Sequence, residues 1–146
     1  MKIFLFFILI VQLISAISLA QNSTNTSGDL TVIVNGLESE EGKVMIALSH
    51  SQEDYDTKGE PFRGGIADIS DLTAIWTFKN IPNGTYALKV FHDEDEDNEL
   101  DTNFIGIPSE DYGFSNDAKG SFGPASWEDA KFLFEVKSDT VVINIE

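Results

Sequence analysis

The sequence predicts an all-β protein, built as an antiparallel β-sandwich of about seven strands with one long loop and a short helix. Three observations lead to this fold class. Apolar side chains recur at every second position in several short runs, and Gly, Asn and Pro separate these runs. Only one short segment, from Ser126 to Ala130, has a helical pattern.

The individual strands follow from the alternation, taken in chain order. We expect strands at 30–34, 44–48, 73–78, 86–90, 132–136 and 141–145, with a weaker strand at 66–69. The Pro82-Asn83-Gly84 and Lys137-Ser138-Asp139 segments are typical turns between them. Ser126 is predicted to cap the short helix, with Asp129 at the acidic position of a capping box.

Residues 1–20 are predicted to be a secretory signal peptide. An apolar run from Ile3 to Ile17 follows Lys2, and Ser18-Leu19-Ala20 is an acceptable cleavage site. An uncleaved membrane anchor is the alternative, because the run is near the lower length for spanning a bilayer. Cleavage would leave a flexible polar leader at 21–28 and a single β-sandwich domain at 29–146 without a membrane span. We therefore expect a secreted or periplasmic protein.

Composition and motifs narrow the possible functions. The net charge of -16 makes nucleic acid a poor partner, because phosphate binding depends on Lys and Arg. The chain has no Cys, no G-x-S-x-G and no H-E-x-x-H motif, so catalysis has little support. His50 and His92 each lie two residues after the last inward apolar residue of a predicted strand, which places them at strand ends on the core-facing side. If those ends are adjacent, the pair would suit a transition metal; otherwise His92 orders the neighbouring loop by hydrogen bonding.

The segment from His92 to Asp101 is the strongest candidate for a functional site. It carries seven acidic residues and no Lys or Arg, so the charges repel one another when the loop compacts. A divalent cation would remove that penalty, and alternate carboxylates on a curling chain favour calcium. The expected metal ligands are Asp93, Asp95, Asp97, the backbone carbonyl of Glu99, and Asp101 acting directly or through water.

This ligand pattern follows an EF-hand loop only in part. Asn98 stands at the sharp turn where an EF-hand has Gly, although Asn tolerates a left-handed backbone. Phe104 stands where an EF-hand places its bidentate Glu, and the preceding residues alternate like a strand. The site is therefore not a helix-loop-helix EF-hand. The alternative is a solvated acidic turn without a defined metal.

A long excursion extends from His92 to Ala125, and its apolar content argues that it is ordered. It contains the large apolar residues Phe104, Ile105, Ile107, Tyr112, Phe114 and Phe122. Two interpretations remain open. The aromatic residues form a satellite hydrophobic cluster beneath the loop, or they form a stacking platform for a glycan or protein partner, with Asp111, Ser115 and Asn116 as polar contacts.

Several short motifs resemble one known family. They are Gly36-Leu37, Gly84-x-Tyr86-Ala87, His92-Asp93 with the acids after it, Leu100 to Phe104, Gly106 to Pro108, and Tyr112 to Asn116. Together they closely resemble the domain of unknown function 2141 family of secreted or periplasmic bacterial proteins, which carries no established activity. The turn around Pro82 also looks like that of prealbumin-like modules, which implies an Ig-like or prealbumin-like sandwich.

The sequence thus predicts a secreted, non-catalytic binding or interaction module with a calcium-ordered acidic loop. The alternative is a carbohydrate-active hydrolase that uses a pair of loop carboxylates. The two differ in one structural feature, because a hydrolase needs a concave pocket in which carboxylates face aromatic rings.

Overall fold

The computed structural model describes residues 26–56, 60–121 and 123–146. The predicted signal peptide, residues 1–20, lies outside the described residues, as do the first residues of the leader and Phe122. No helix in the described part of the chain is long and apolar enough to cross a membrane. The strands are β1 (Ser27–Asn35), β2 (Lys43–Ser49), β3 (Arg63–Ala67), β4 (Ile69–Ser70), β5 (Thr73–Pro82), β6 (Gly84–Asp93), β7 (Tyr112–Phe114), β8 (Phe132–Phe134) and β9 (Ser138–Asn144). The helices are α1 (Gln52–Asp56), a 3-10 turn (Ser115–Asp117) and α2 (Trp127–Ala130).

The strands form two sheets, which confirms the predicted all-β sandwich. One sheet has the order β4-β5-β1-β9, and the other has the order β3-β2-β6-β7, with β8 also paired to β6. The pairing is antiparallel except between β1 and β9, where Val32 lies opposite Val141 in a parallel register. The parallel pair departs from the predicted antiparallel pattern. The elements from β2 to β8 connect β1 to β9, and they provide the long crossover connection that a parallel pair requires.

Some boundaries differ from those expected from the alternation. Strand β1 begins at Ser27, inside the segment assigned to the leader, because Ser27 and Gly28 pair with the end of β5. The predicted strand at 66–69 is divided between β3 and β4, and the predicted strand at 132–136 ends at Phe134. The short elements α1 and β7 were not predicted. The predicted helix is confirmed, and the Ser126 hydroxyl accepts a hydrogen bond of 3.3 Å from the backbone N–H of Asp129.

The main core fills the space between the two sheets. Burial alternates along β1, where Leu30, Val32 and Val34 are fully buried and the residues between them are partly exposed. Burial also alternates along β2, so the inward faces of β1 and β2 contribute buried apolar surface that stabilises the fold. Other members of this core are Leu37, Phe78, Ile81, Tyr86, Leu88, Val90, Phe134, Ile143 and Ile145.

A second, smaller core lies on the outer side of β6, beneath the later part of the excursion. Its buried members are Tyr55, Ala87, Phe114, Ala125, Trp127 and Ala130, with Tyr112 packed against them. The Tyr55 hydroxyl donates a hydrogen bond to the carbonyl oxygen of Ala125, at 3.0 Å. The ammonium of Lys89 lies 4.1 Å from the centroid of the Tyr55 ring, and burial lowers the pKa of this lysine.

This second core divides the excursion into two parts. Phe114 is buried in it, so its ring packs as the satellite-cluster interpretation expected and does not present a free stacking face. Phe104, Ile105 and Ile107 instead project into solvent. The excursion is thus held by its later half and exposed in its earlier half.

Candidate metal site

The acidic loop begins at the end of β6, where the backbone is tightly packed. Asp93, the last residue of β6, lies opposite Lys43 of β2 and has only 1% of its surface exposed. Gly42 precedes β2 with a φ of 69°, and a Cβ at that position would lie 2.0 Å from the carbonyl oxygen of Asp93. Glycine is required there because a side chain would push the root of the acidic loop away from β2.

Beyond β6 the chain curls and brings alternate carboxylates together. The ligand atoms of Asp93, Asp95 and Asp97 all lie within 4.8 Å of one another, so this group could hold a metal ion. The curl depends on left-handed backbone at Glu96, with a φ of 61°, and at Asn98, with a φ of 66°. Asn at the second position fits the predicted sharp turn, since Asn adopts this conformation more readily than most residues.

Backbone N–H groups inside the curl point at the same carboxylates. The N–H groups of Asp97 and Asn98 donate to the two oxygens of Asp93, at 3.1 and 3.0 Å. The N–H of Glu99 donates to the carboxylate of Asp97, at 2.7 Å. An ionised carboxylate has about four lone-pair sites, so these bonds leave acceptor capacity for a cation. They also restrict the positions that the carboxylates can take.

Glu110 is a site residue that the sequence analysis missed. It lies in the later part of the excursion, it is buried, and its two carboxylate oxygens accept the backbone N–H groups of Glu94 and Asp101, each at 3.0 Å. One side chain therefore clamps both ends of the acidic loop through charge-assisted hydrogen bonds. No spacing rule distinguishes Glu110 from the other acids, because its partners are backbone groups.

Glu99 and Asp101 are the other two predicted ligands. The carboxylates of Glu99 and Asp101 are not part of the group formed by the other three acids. The backbone of Asp101 is held by Glu110 and by the N–H of Ser109, which donates to the Asp101 carbonyl at 2.9 Å. The roles expected for Glu99, through its backbone carbonyl, and for Asp101, directly or through water, stay predictions.

The two histidines do not form a pair. His92 lies opposite Val44 near the start of β2, whereas His50 follows the other end of that strand. At about 3.3 Å per residue, the two positions are roughly 20 Å apart, so the suggested transition-metal pair is wrong. His92 is buried, and its Nε2 donates to the carbonyl oxygen of Glu41 at 2.7 Å. His92 thus ties the loop root to the turn before β2, as the hydrogen-bonding interpretation expected.

The negative charge of the acidic loop is not balanced by Lys or Arg residues close to it in the sequence. Residues 94–111 contain eight acids and no Lys or Arg. The ammonium of Lys43 lies 2.6 Å from the carboxylate of Asp68, and this ion pair raises the pKa of Lys43 and lowers that of Asp68. The cation whose backbone is nearest the loop root therefore has its main partner elsewhere. Glu96 raises the pKa of Lys43 only as a smaller contribution, so a cation supplied by solution would neutralise more of the charge of residues 93–99, which we call the acidic curl.

Comparisons with known proteins identify the family. No curated protein matches the chain, and no solved structure matches it. A family model described as "Uncharacterized protein conserved in bacteria (DUF2141)" matches residues 32–142, which extend from within β1 to within β9 and include the acidic loop. Because this match covers most of the chain, the protein belongs to the DUF2141 family of uncharacterized bacterial proteins.

Proposed function

We propose that this protein is a secreted, non-catalytic binding module whose acidic loop is ordered by a calcium ion. The convergence of the carboxylates of Asp93, Asp95 and Asp97 within 4.8 Å carries the proposal. Calcium oxygen distances are about 2.3 to 2.6 Å, so oxygens on opposite sides of one ion lie up to about 5 Å apart. The observed spread falls within that span.

Calcium suits this loop better than magnesium does. Calcium accepts six to eight oxygen ligands in flexible geometry, including backbone carbonyls and waters, whereas magnesium requires a near-ideal octahedron. Asp95 and Asp97 are exposed, which leaves room for waters to complete the shell. The backbone carbonyl of Glu99 and the side chain of Asp101 remain the proposed additional ligands.

The proposed compartment outside the cytoplasm is consistent with calcium as the metal. We place the mature chain outside the cytoplasm, in the periplasm or beyond the cell, on the basis of the N-terminal apolar run after Lys2. Calcium-binding sites of extracellular modules typically have dissociation constants of about 0.1 to 1 mM. A chain with no Cys gains from such a cation a stabilising link that a disulfide would otherwise provide.

The geometry does not favour the carbohydrate hydrolase. Within the described residues, the acids Asp95 and Asp97 lie exposed on the loop, while Phe114 is buried in the second core. Phe104 is 99% exposed, so its ring does not line a pocket. A sugar would therefore find no pocket in which carboxylates and these rings face each other.

The first prediction concerns the response of the domain to calcium. Isothermal titration of the purified mature chain should give one saturable site with a dissociation constant between roughly 1 μM and 1 mM. At a hundredfold excess over that constant, binding stabilises the folded state by about 2.7 kcal/mol. Thermal melts in calcium and in chelator should then differ by roughly 10 °C. Melts that coincide at matched ionic strength would leave the acidic loop as a solvated turn.

A further inference from the structure

The end of the acidic loop presents a group of apolar side chains to solvent. We call residues 100–107 the apolar tip. Four of its residues are exposed: Leu100 by 37%, Phe104 by 99%, Ile105 by 63% and Ile107 by 54%. Single exposed apolar residues are ordinary on protein surfaces, whereas four within one short segment provide apolar surface through which a partner can bind.

The apolar tip forms a turn with hydrogen bonds of its own. The side-chain oxygen of Asn103 accepts the N–H groups of Ile105 and Ile107, at 3.0 and 3.1 Å. The backbone N–H of Asn103 donates to the carbonyl of Ile107 at 2.8 Å, and Thr102 pairs with Pro108 across the turn. The exposed side chains are thus carried by an ordered turn. Binding through them would not require the turn to be ordered first, and such preorganisation lowers the cost of association.

The charge around the apolar tip restricts what can bind it. The tip lies between the acidic curl and Glu110, in a segment with eight acids and no basic residue, on a chain with net charge -16. Two copies of this surface would repel each other, and so would a surface of anionic lipid. A partner that carries positive charge around apolar side chains is complementary in both respects.

We propose that the apolar tip docks a cationic polypeptide segment in which Lys or Arg residues accompany apolar ones. This inference rests on the proposed function and names the class of partner that the module binds. Phe104 supplies the central apolar contact, because its ring is the most exposed of the tip. The surrounding carboxylates attract the basic side chains and set the orientation. One bound calcium ion carries two positive charges against the nine acids of residues 93–111, so the attraction persists in its presence.

The test uses a defined probe. A fluorescein-labelled amphipathic peptide of Leu and Lys is titrated with the mature protein, and fluorescence anisotropy is recorded at low and at high salt. The control peptide carries Glu in place of Lys. We expect saturable binding of the Lys peptide, weakened by salt because the carboxylates of the tip region are exposed, and no binding of the Glu peptide.

Two protein variants locate the surface. Phe104→Ser should weaken binding of the Lys peptide about tenfold, which corresponds to about 1.4 kcal/mol. Ile75→Ser is the matched control, because Ile75 is also an exposed apolar residue, at 59%, but lies on β5 in the other sheet. Equal weakening by both variants, or equal affinity for the two peptides, would overturn the proposal.

Two further measurements exclude other occupants. If sedimentation velocity shows a dimer that depends on Phe104, the occupant of the apolar tip is a second copy of the chain. If the protein floats with lipid vesicles in a manner that depends on Phe104, and the Lys peptide fails to bind, the occupant is a membrane. Calcium titration of Phe104→Ser separates this inference from the proposed function. Unchanged calcium binding together with weakened peptide binding is the expected result. Loss of calcium binding in Phe104→Ser would mean that the variant disturbs the acidic curl, and it would overturn the assignment of Phe104 to docking alone.

Discussion

Replacing Phe114 by alanine should lower the free energy of unfolding by about 3 to 5 kcal/mol, the usual cost of removing a buried aromatic ring. Phe114 is 7% exposed, and its ring centroid lies 6.5 Å from that of Tyr55 and 5.7 Å from that of Tyr112. The substitution therefore leaves a cavity in the middle of the second core. Urea denaturation followed by fluorescence measures the loss.

The same loss should be found in calcium and in chelator, because the second core does not include the acidic curl. Leu133→Ala is the control. Leu133 is 60% exposed on β8, so its truncation should change the stability by less than about 0.5 kcal/mol. If Phe114→Ala cost less than about 1 kcal/mol, the second core would not be what holds the later half of the excursion. A loss seen only in calcium would mean that the metal and the second core are coupled.

Asp95→Asn should weaken calcium binding at least tenfold. It removes a charged oxygen from the converging group while keeping the size of the side chain. Removal of a residue that only supports a metal ligand typically costs about 10- to 100-fold, and a direct ligand should cost no less. Isothermal titration of the variant beside the parent chain measures the change.

Glu96→Gln is the matched control for that experiment. It removes the same charge from the neighbouring residue, whose carboxylate is outside the converging group. Calcium affinity should fall by less than about threefold, the extent expected from a change in the general field. Equal losses from Asp95→Asn and Glu96→Gln would replace a defined site with diffuse attraction of cations.

Much of the fold follows from the alternation of apolar residues. The strands around Val32, Ile46 and Ile143 bury one face each, and the strand around Leu88 sends alternate apolar residues into the main core, so the period of two identified these strands and the sandwich they form. The helix after Ser126 was also predictable, because capping is a local interaction. Local periodicity does not specify which strands become neighbours, so the parallel pairing of β1 and β9 depends on the path of the whole chain.

The sequence did not reveal the shortest strand or the contacts between residues that are distant in sequence. Strand β7 has three residues and is recognisable only through its partners on β6, such as Lys89 opposite Phe114. Glu110 acts through backbone N–H groups 16 and 9 residues away in sequence, and no motif records such contacts. The exposure of Phe104 was likewise unpredictable, because an aromatic residue in a loop usually packs beneath it.

The acidic curl was found because its residues are adjacent. Asp93, Asp95 and Asp97 converge within one turn of chain, so their spacing alone predicted that they meet. The placement of His92 at a strand end was also correct, but its distance from His50 required the register of β2 against β6. Contacts within one turn can thus be predicted from the sequence, while the prediction of contacts between distant turns requires knowledge of how the strands pair.

Hydrogen exchange of the loop amides tests most directly whether calcium orders the acidic curl. The N–H groups of Asp97, Asn98 and Glu99 donate to carboxylates of the site. With calcium, we expect their exchange to slow by at least about tenfold relative to chelator, because opening of the loop then requires release of the ion. The amides of β2 and β6 should exchange at nearly the same rates in both conditions. Loop amides that exchange equally fast in calcium and in chelator, at matched ionic strength, would contradict the claim that calcium orders this loop.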